Sequence, residues 1–233
     1  MIRIIRSSER HHRNSGWLDA RWHFSFSDYY DPENRNWGPL RVFNDDMIAG
    51  GGGFDPHPHR DMEIISYIVS GALRHTDSMG NDHVSSRGGV QVMSAGRGIV
   101  HSEYNASDTD PVRLLQIWIL PRRRGQTPRW AQKSFERELQ SGQWTPVVSD
   151  GSVVGTLAVD QDALLLAARP LAGSTLRHSV RPGRRAYAFV VEGKIDLNGQ
   201  RLSAGDQARI VDETELQIET PVDSELVLLD LPS

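Results

Sequence analysis

Tyr67-Ile68-Val69-Ser70-Gly71 returns later in the chain as Phe189-Val190-Val191-Glu192-Gly193, an apolar run closed by glycine each time. A second pair follows in the same order: Gln91-Val92-Met93-Ser94-Ala95-Gly96 and Gln200-Arg201-Leu202-Ser203-Ala204-Gly205. Around these landmarks, short runs rich in β-branched and aromatic residues alternate with Gly, Asp, Asn and Ser clusters. That is the pattern of an all-β sandwich or barrel. The repeat predicts two copies of one β-barrel unit in 233 residues, with 1–130 as the first and 131–233 as the second. The landmarks lie 25 residues apart in the first copy and 12 in the second, so the first should carry an extra hairpin around Asp77 to Gly88. Arg113 to Leu120 is apolar at nearly every residue, as in a strand buried on both faces. Pro121 to Pro128 breaks that pattern and reads as the start of a linker, while Trp130 to Leu139 suits a short helix or an extended segment equally.

Two short motifs carry chemistry: His57-Pro58-His59 and His101-Ser102-Glu103. Residues i and i+2 of a strand point to one face, so each motif aims two metal ligands in one direction. Side by side, the two strands would bring three imidazoles and one carboxylate together, an N/O set suited to a divalent first-row metal. A chance His-x-His is expected roughly 0.35 times in a chain of this composition, so the motif alone is a weak signal. The glycines bracketing both motifs strengthen it: Gly51 and Gly71 around the first, Gly96 and Gly98 before the second. They mark tight turns and bulges at the ends of extended runs. Pro58 cannot donate to a ladder and belongs on an edge strand or at a strand start.

Composition narrows the function classes. Net charge is −4, so no global basic field would recruit nucleic acid or an anionic membrane. No apolar run reaches the ~18 residues of a membrane span, and the Arg-interrupted N-terminus does not resemble a secretory leader, so a cytoplasmic protein is expected. Zero cysteines exclude disulfides, thiolate catalysis and Cys-ligated metal, and force any metal site onto His and carboxylates.

The motif spacings resemble those of the cupin superfamily, and the wider sequence is similar to the pirin family within it. The residues that carry this resemblance include Gly16-Trp17-Leu18, His23-Phe24-Ser25-Phe26, Tyr29-Tyr30-Asp31-Pro32, Asn44-Asp45-Asp46, His57-Pro58-His59-Arg60-Asp61-Met62-Glu63, Asp77-Ser78-Met79-Gly80, His101-Ser102-Glu103-Tyr104-Asn105 and Gln116-Ile117-Trp118. Dense matching covers about 120 residues. Two positions depart from the general cupin pattern: Gly71 lies one residue beyond the usual spacing from Glu63, and Gly96 stands where many cupins have Pro. The resemblance implies a bicupin of two stacked β-barrels (double-stranded β-helices) with His57, His59, His101 and Glu103 as metal ligands. Glu63 is the rival carboxylate, since other cupins draw their fourth ligand from that position. Iron is the metal implied first, and copper, nickel, cobalt, manganese or zinc also suit the donors. The implied activity is that of bacterial quercetin 2,3-dioxygenases. A flavonol would bind through its 3-hydroxyl, Glu103 (with Glu63 as backup) would accept the proton, and dioxygen would add to the central ring, expelling carbon monoxide. Partners are then a flavonol or related aromatic and O₂. The alternative the family offers is a regulatory or redox-sensing metalloprotein acting through protein partners.

The repeat also indicates which copy binds metal. Moving the first motif forward by 122 positions puts Ser179 on His57, Arg181 on His59 and Arg185 on Glu63. From the Ala-Gly landmark, Ile210 falls on His101 and Asp212 on Glu103. Cations do not enter a cation's coordination shell, and one carboxylate cannot hold a metal alone, so the second copy should lack a metal. Phe54 is a candidate cavity wall, and Asp61 and Glu63 are candidates for orienting the histidines. His11-His12, His75 and His83 read as surface residues, His178 as a histidine without partners, Arg122 to Arg124 as a solvated loop, and Trp17, Trp22 and Trp37 as packing residues.

Overall fold

The computed structural model describes residues 1–233 and is almost entirely β. Strand β1 (Ile2–Ile5) is followed by β2 (His11–Asn14), β3 (Leu18–Trp22), β4 (Leu40–Ile48), β5 (Gly53–His59), β6 (Glu63–Ser70), β7 (Ala72–Asp77), β8 (Asp82–Ser86), β9 (Gly89–Ser94), β10 (Ile99–Asn105), β11 (Val112–Ile119) and β12 (Arg129–Ser134). The one α-helical turn, α1 (Glu136–Leu139), precedes β13 (Thr145–Ser149), β14 (Leu157–Ala158), β15 (Leu164–Ala168), β16 (Ser174–Ser179), β17 (Arg184–Glu192), β18 (Lys194–Leu197), β19 (Gln200–Ser203), β20 (Gln207–Val211), β21 (Glu215–Thr220) and β22 (Glu225–Pro232). The ambiguous segment after Trp130 thus contains both a strand and a helical turn. No helix is long and apolar enough to cross a membrane.

Each half pairs a large sheet with a four-stranded one. In the first, the large sheet runs β12-β9-β6-β11-β4-β3-β2 and the small one β5-β10-β7-β8. In the second, the order β1-β20-β17-β22-β15-β13 faces β16-β21-β18-β19. Strand for strand the two orders superpose: β6 on β17, β9 on β20, β11 on β22, and β5, β10, β7, β8 on β16, β21, β18, β19. This is the bicupin arrangement expected from the sequence. The compact units are His11–Glu136 with Leu157–Gln161, and Met1–Arg10 with Arg137–Thr156 and Asp162–Ser233. The boundary expected after residue 130 therefore falls after Glu136, and the first ten residues belong with the second barrel, where β1 pairs with β20.

The topology corrects the second repeat landmark. Ala95-Gly96 follows β9, whereas Ala204-Gly205 precedes β20. The counterpart of Gly205 is therefore Gly88, 17 residues after Gly71. No extra hairpin exists; β7–β8 has longer strands and a longer turn than β18–β19. A shared Ser-Ala-Gly tripeptide at two different turns had imitated homology.

The first landmark holds. Gly71 and Gly193 have φ of 72° and 83°, each between the long central strand and the next. A β-carbon on either would run into backbone, the Pro111 or the Asp223 carbonyl. Gly80 has φ 92° with open space around it. Gly71→Ala is therefore expected to lower stability by about 1–3 kcal/mol, from left-handed strain plus collision, and Gly80→Ala by less. Denaturant midpoints of the two variants check this order.

Interiors differ between the barrels. The second is filled by a large apolar cluster that includes Leu176, Val180, Ala186, Ile210, Leu216, Ile218 and Leu228. The first contains two smaller apolar clusters, one around Leu18, Ile48, Ile68 and Leu114, the other around Ile64, Met93 and Ile99. A cavity lies in this first barrel.

Candidate metal centre

The edge strand β5 supplies His57 and His59, and its neighbour β10 supplies His101 and Glu103. Pro56 and Pro58 are tolerated here because β5 pairs on one side only. In the β5–β10 register, His101 lies opposite His57 and Glu103 opposite Phe54, so Asp55-Pro56 forms a bulge. The period-two geometry puts all four side chains on the inner face. Ring centroids are 4.8 Å apart for His57 and His59, 4.5 Å for His57 and His101, and 4.9 Å for His59 and His101. One nitrogen from each lies within 4.8 Å of the other two, as a shared ion requires.

Glu103 sits slightly apart. It groups with His75 and His101 rather than with the histidine triad. Its Oε1 accepts from Ser66 Oγ at 3.1 Å and its Oε2 from Gln116 Nε2 at 2.7 Å, all three residues being buried. Those donors hold the carboxylate at the wall of the cavity, beside the triad.

Burial keeps His59 and His101 neutral. Loss of solvent, then the neighbouring His101 and His57 rings, pushes the pKa of His59 down to about 4. His101 is pushed down to about 3 by burial first, then by His57 and His75. Neutral imidazoles offer lone pairs, so the donor set fits a divalent first-row ion. The sign for stability follows from linkage. The unfolded chain, with ordinary histidine pKa near 6.5, binds more protons than the folded one between about pH 4 and 6.5. The contribution of these histidines is full above pH 6.5 and is lost as the pH falls through that window. Metal-free protein is expected to melt progressively lower from pH 6.5 to 4, and His101→Gln to show a shallower decline. Thermal melts at several pH values measure both slopes.

The cavity over the triad is about 560 Å³, the size of a drug-like ligand site. Trp17, Trp22, Phe26, Phe54, Ile64 and Trp118 give it apolar walls. Trp118 meets His59 edge-on at 4.8 Å, Phe26 meets Trp118 at 5.4 Å, and Phe54 meets Trp17 at 5.1 Å. Phe54 is thus the expected wall. Trp17 and Trp22 are cavity residues as well as packing residues, while Trp37 is half-buried outside it. Two polar groups of β4 also reach the cavity, Asn44 and Asp46. The Oδ1 atom of each is buried without a hydrogen-bond partner. Burial, then Asp45 and Glu103, raises the Asp46 carboxyl well above the usual carboxylate range.

Several expectations are corrected. Glu63 lies on the opposite face of β6 from Ile64 and Ser66, accepts from Ser94 Oγ at 2.6 Å, and is not a cavity residue. It is in no position to be a ligand or a backup base. Asp61 accepts from the Gly125 backbone N–H at 2.7 Å, so neither acid orients a histidine. The groups beside the triad histidines are instead the Asp55 carbonyl, 2.7 Å from His57 Nδ1, and His75, whose Nδ1 is 3.4 Å from His101 Nδ1. His75, expected at the surface, is 1% exposed; its neighbour across the ladder, His83, is exposed as expected. His11 is stacked between Tyr29 and Trp22 at 4.3 and 5.2 Å rather than freely solvated. Arg123 is tied to Asp160 at 2.8 Å.

Register assigns the second barrel's equivalents anew. Glu103 pairs with His75 as Ile218 pairs with Leu197, which puts Leu216 on His101 and Ile218 on Glu103. His178 pairs with Leu216 and so takes the place of His57, one residue from the Ser179 expected. Nor is it without partners: its Nε2 lies 2.9 Å from Asp230, which also receives Arg184. At these positions the second barrel offers one histidine, held by an ion pair, with leucine and isoleucine opposite.

Comparison with known proteins agrees with this description. Residues 5–119 match the pirin family and residues 147–231 match the quercetinase C-terminal cupin domain. The chain is 44% identical over 233 residues to an Escherichia coli K12 protein named quercetin 2,3-dioxygenase, covering 100% of this chain and 99% of that one. It is 46% identical over 216 residues to a pirin-like protein of Caulobacter vibrioides, with 92% and 93% covered. The crystal structure of the bacterial pirin YhhW from Escherichia coli in complex with nickel(II) superposes with a TM-score of 0.94 at 42% identity, covering 100% of this chain and 99% of that one. With both barrels, the histidine cluster and these relatives in agreement, the chain belongs to the pirin family of bicupin proteins.

Proposed function

We propose that this protein is a metal-dependent dioxygenase that opens the central ring of flavonols such as quercetin and releases carbon monoxide. The observation that carries this reading is the position of the histidine triad at the base of an aromatic-walled cavity of flavonol size. The naming of close relatives as quercetin 2,3-dioxygenases supports the same substrate class.

His57, His59 and His101 would hold one divalent ion, with Glu103 as fourth ligand and base. Iron is the first candidate, and nickel, copper, cobalt, manganese and zinc suit the same donors. A bound ion supplies Lewis acidity that lowers the pKa of a coordinated 3-hydroxyl. The chain's own residues do the rest. Glu103, oriented by Ser66 and Gln116, accepts the proton of that hydroxyl. Trp17, Phe54, Phe26 and Trp118 hold the planar ring system and keep water from the resulting anion. Asn44 and Asp46, which line the same cavity, offer unpartnered buried oxygens to hydroxyls of the substrate. Overall, quercetin and O₂ give a depside and carbon monoxide; both oxygen atoms of O₂ remain in the depside, and the carbon bearing the 3-hydroxyl leaves with its oxygen. The reading takes the enzyme as cytoplasmic, with the second barrel as structural support.

Oxygen uptake with quercetin, measured on protein loaded separately with each of these metals, tests the proposal. Uptake with at least one metal, at a rate that depends on which is loaded, is expected. No uptake with any metal would refute the enzyme reading.

A further inference from the structure

The triad histidines have two ring nitrogens each, and a metal can use only an unprotonated one. His57 Nδ1 lies 2.7 Å from the Asp55 carbonyl, which only accepts, so the proton is on Nδ1 and the Nε2 lone pair is free. His101 has no carbonyl partner. Its Nδ1 faces another imidazole, His75 Nδ1, at 3.4 Å. Two imidazole nitrogens in contact leave the proton's location open until something further along the chain decides it.

Asp77 decides it. Its Oδ2 lies 3.1 Å from His75 Nε2, and both side chains are buried. Its Oδ1 accepts from the backbone N–H groups of Met79 and Asn81 at 2.8 and 3.2 Å, and Oδ2 also accepts from Asn81 Nδ2 at 2.8 Å. With three donors besides His75, this carboxylate acts as an acceptor. His75 must then carry its proton on Nε2, which leaves His75 Nδ1 as an acceptor. His101 therefore protonates Nδ1, and its Nε2 lone pair is left free for a metal. His75 is held in register by stacking on Trp130 at 5.0 Å and 18°. Both of its nitrogens are engaged, so it is not itself a ligand, although it stands beside His101 and Glu103.

We infer that Asp77 and His75 are positioning residues that fix the tautomer of His101, and with it the metal affinity of the site. This rests on His101 being a ligand. The device has a sharp signature, because the chain of hydrogen bonds can be run backwards. In Asp77→Asn the two backbone N–H groups keep the amide oxygen at the Oδ1 position, turning the NH₂ group towards His75 Nε2. His75 must then accept there and donate from Nδ1, and His101 must move its proton to Nε2, where the metal would bind.

The test is made first on metal-free protein. Long-range ¹H–¹⁵N correlation spectra of histidine-labelled chain should show His101 as the Nδ1–H tautomer in the wild type and as Nε2–H in Asp77→Asn. Nickel(II) titration calorimetry should then show affinity reduced about 10- to 100-fold, the usual effect of losing such a partner. His75→Phe keeps the stacking on Trp130 but removes the relay, and should lose less affinity than Asp77→Asn because nothing forces the wrong tautomer. A merely structural role predicts the reverse, since Phe abolishes more hydrogen bonds. A wild-type His101 protonated on Nε2, an unchanged tautomer in a folded Asp77→Asn, or wild-type nickel affinity in that variant would each overturn the inference. Should Asp77→Asn fail to fold, the wild-type tautomer and the result for His75→Phe, whose affinity must fall, decide it alone. A wild type with the expected tautomer that binds no nickel would refute the ligand assignment instead.

Discussion

Glu103→Gln is expected to lower quercetin turnover by about 10²–10⁴, the range that a general base contributes, and by more than the accompanying loss of metal explains. Glutamine keeps the shape of the side chain and can still accept from Ser66 or Gln116, the two donors that hold the carboxylate at 3.1 and 2.7 Å. It cannot take a proton from a flavonol hydroxyl. The measurement is turnover divided by metal content, for wild type and variant side by side. A rate that merely tracks occupancy would leave Glu103 as a ligand without a proton-transfer role. Attention would then move to Asp46, the other buried carboxyl of the cavity, because Glu63 faces away from it.

His59→Ala is expected to reduce metal affinity by at least about tenfold, since a coordinate bond disappears from a small ligand set. His59 is a clean probe because no hydrogen bond of its ring has to be broken; its neighbour is the edge of Trp118 at 4.8 Å. His178→Ala in the second barrel is the control. It removes the residue equivalent to His57 but should leave metal content at one ion per chain, because Leu216 and Ile218 provide no donors. Elemental analysis of the three proteins separates these outcomes. Unchanged affinity in His59→Ala would break the ligand assignment.

The parts legible in the sequence were those governed by local periodicity. The i, i+2 rule placed His57 with His59 and His101 with Glu103, and the glycine closing the long central strand fixed both barrels in phase at Gly71 and Gly193. What sequence could not supply was facing and register. Glu63 lies four residues beyond His59, but it follows a turn that starts a new strand, and its parity there turns it outward. His75 looked like one histidine of an exposed hairpin; only pairing with β10 buries it against His101. A signal was available in His75-x-Asp77, where the same alternation that joins His57 to His59 places an acid beside a histidine on one face. Asn44 and Asp46 gave a similar signal two residues apart on β4, obscured because polar residues on a strand normally face water. The second landmark failed because a turn tripeptide carries little information about which turn it makes.

The most direct test of the proposed centre is a single stoichiometric experiment on protein carrying one measured ion per chain: oxygen consumed and carbon monoxide released, counted against quercetin lost. One O₂ taken up and one CO released per flavonol is the expected result, abolished in His59→Ala. Quercetin that binds and survives in the presence of oxygen, whichever metal is loaded, would contradict it and leave a metal-binding protein without this chemistry.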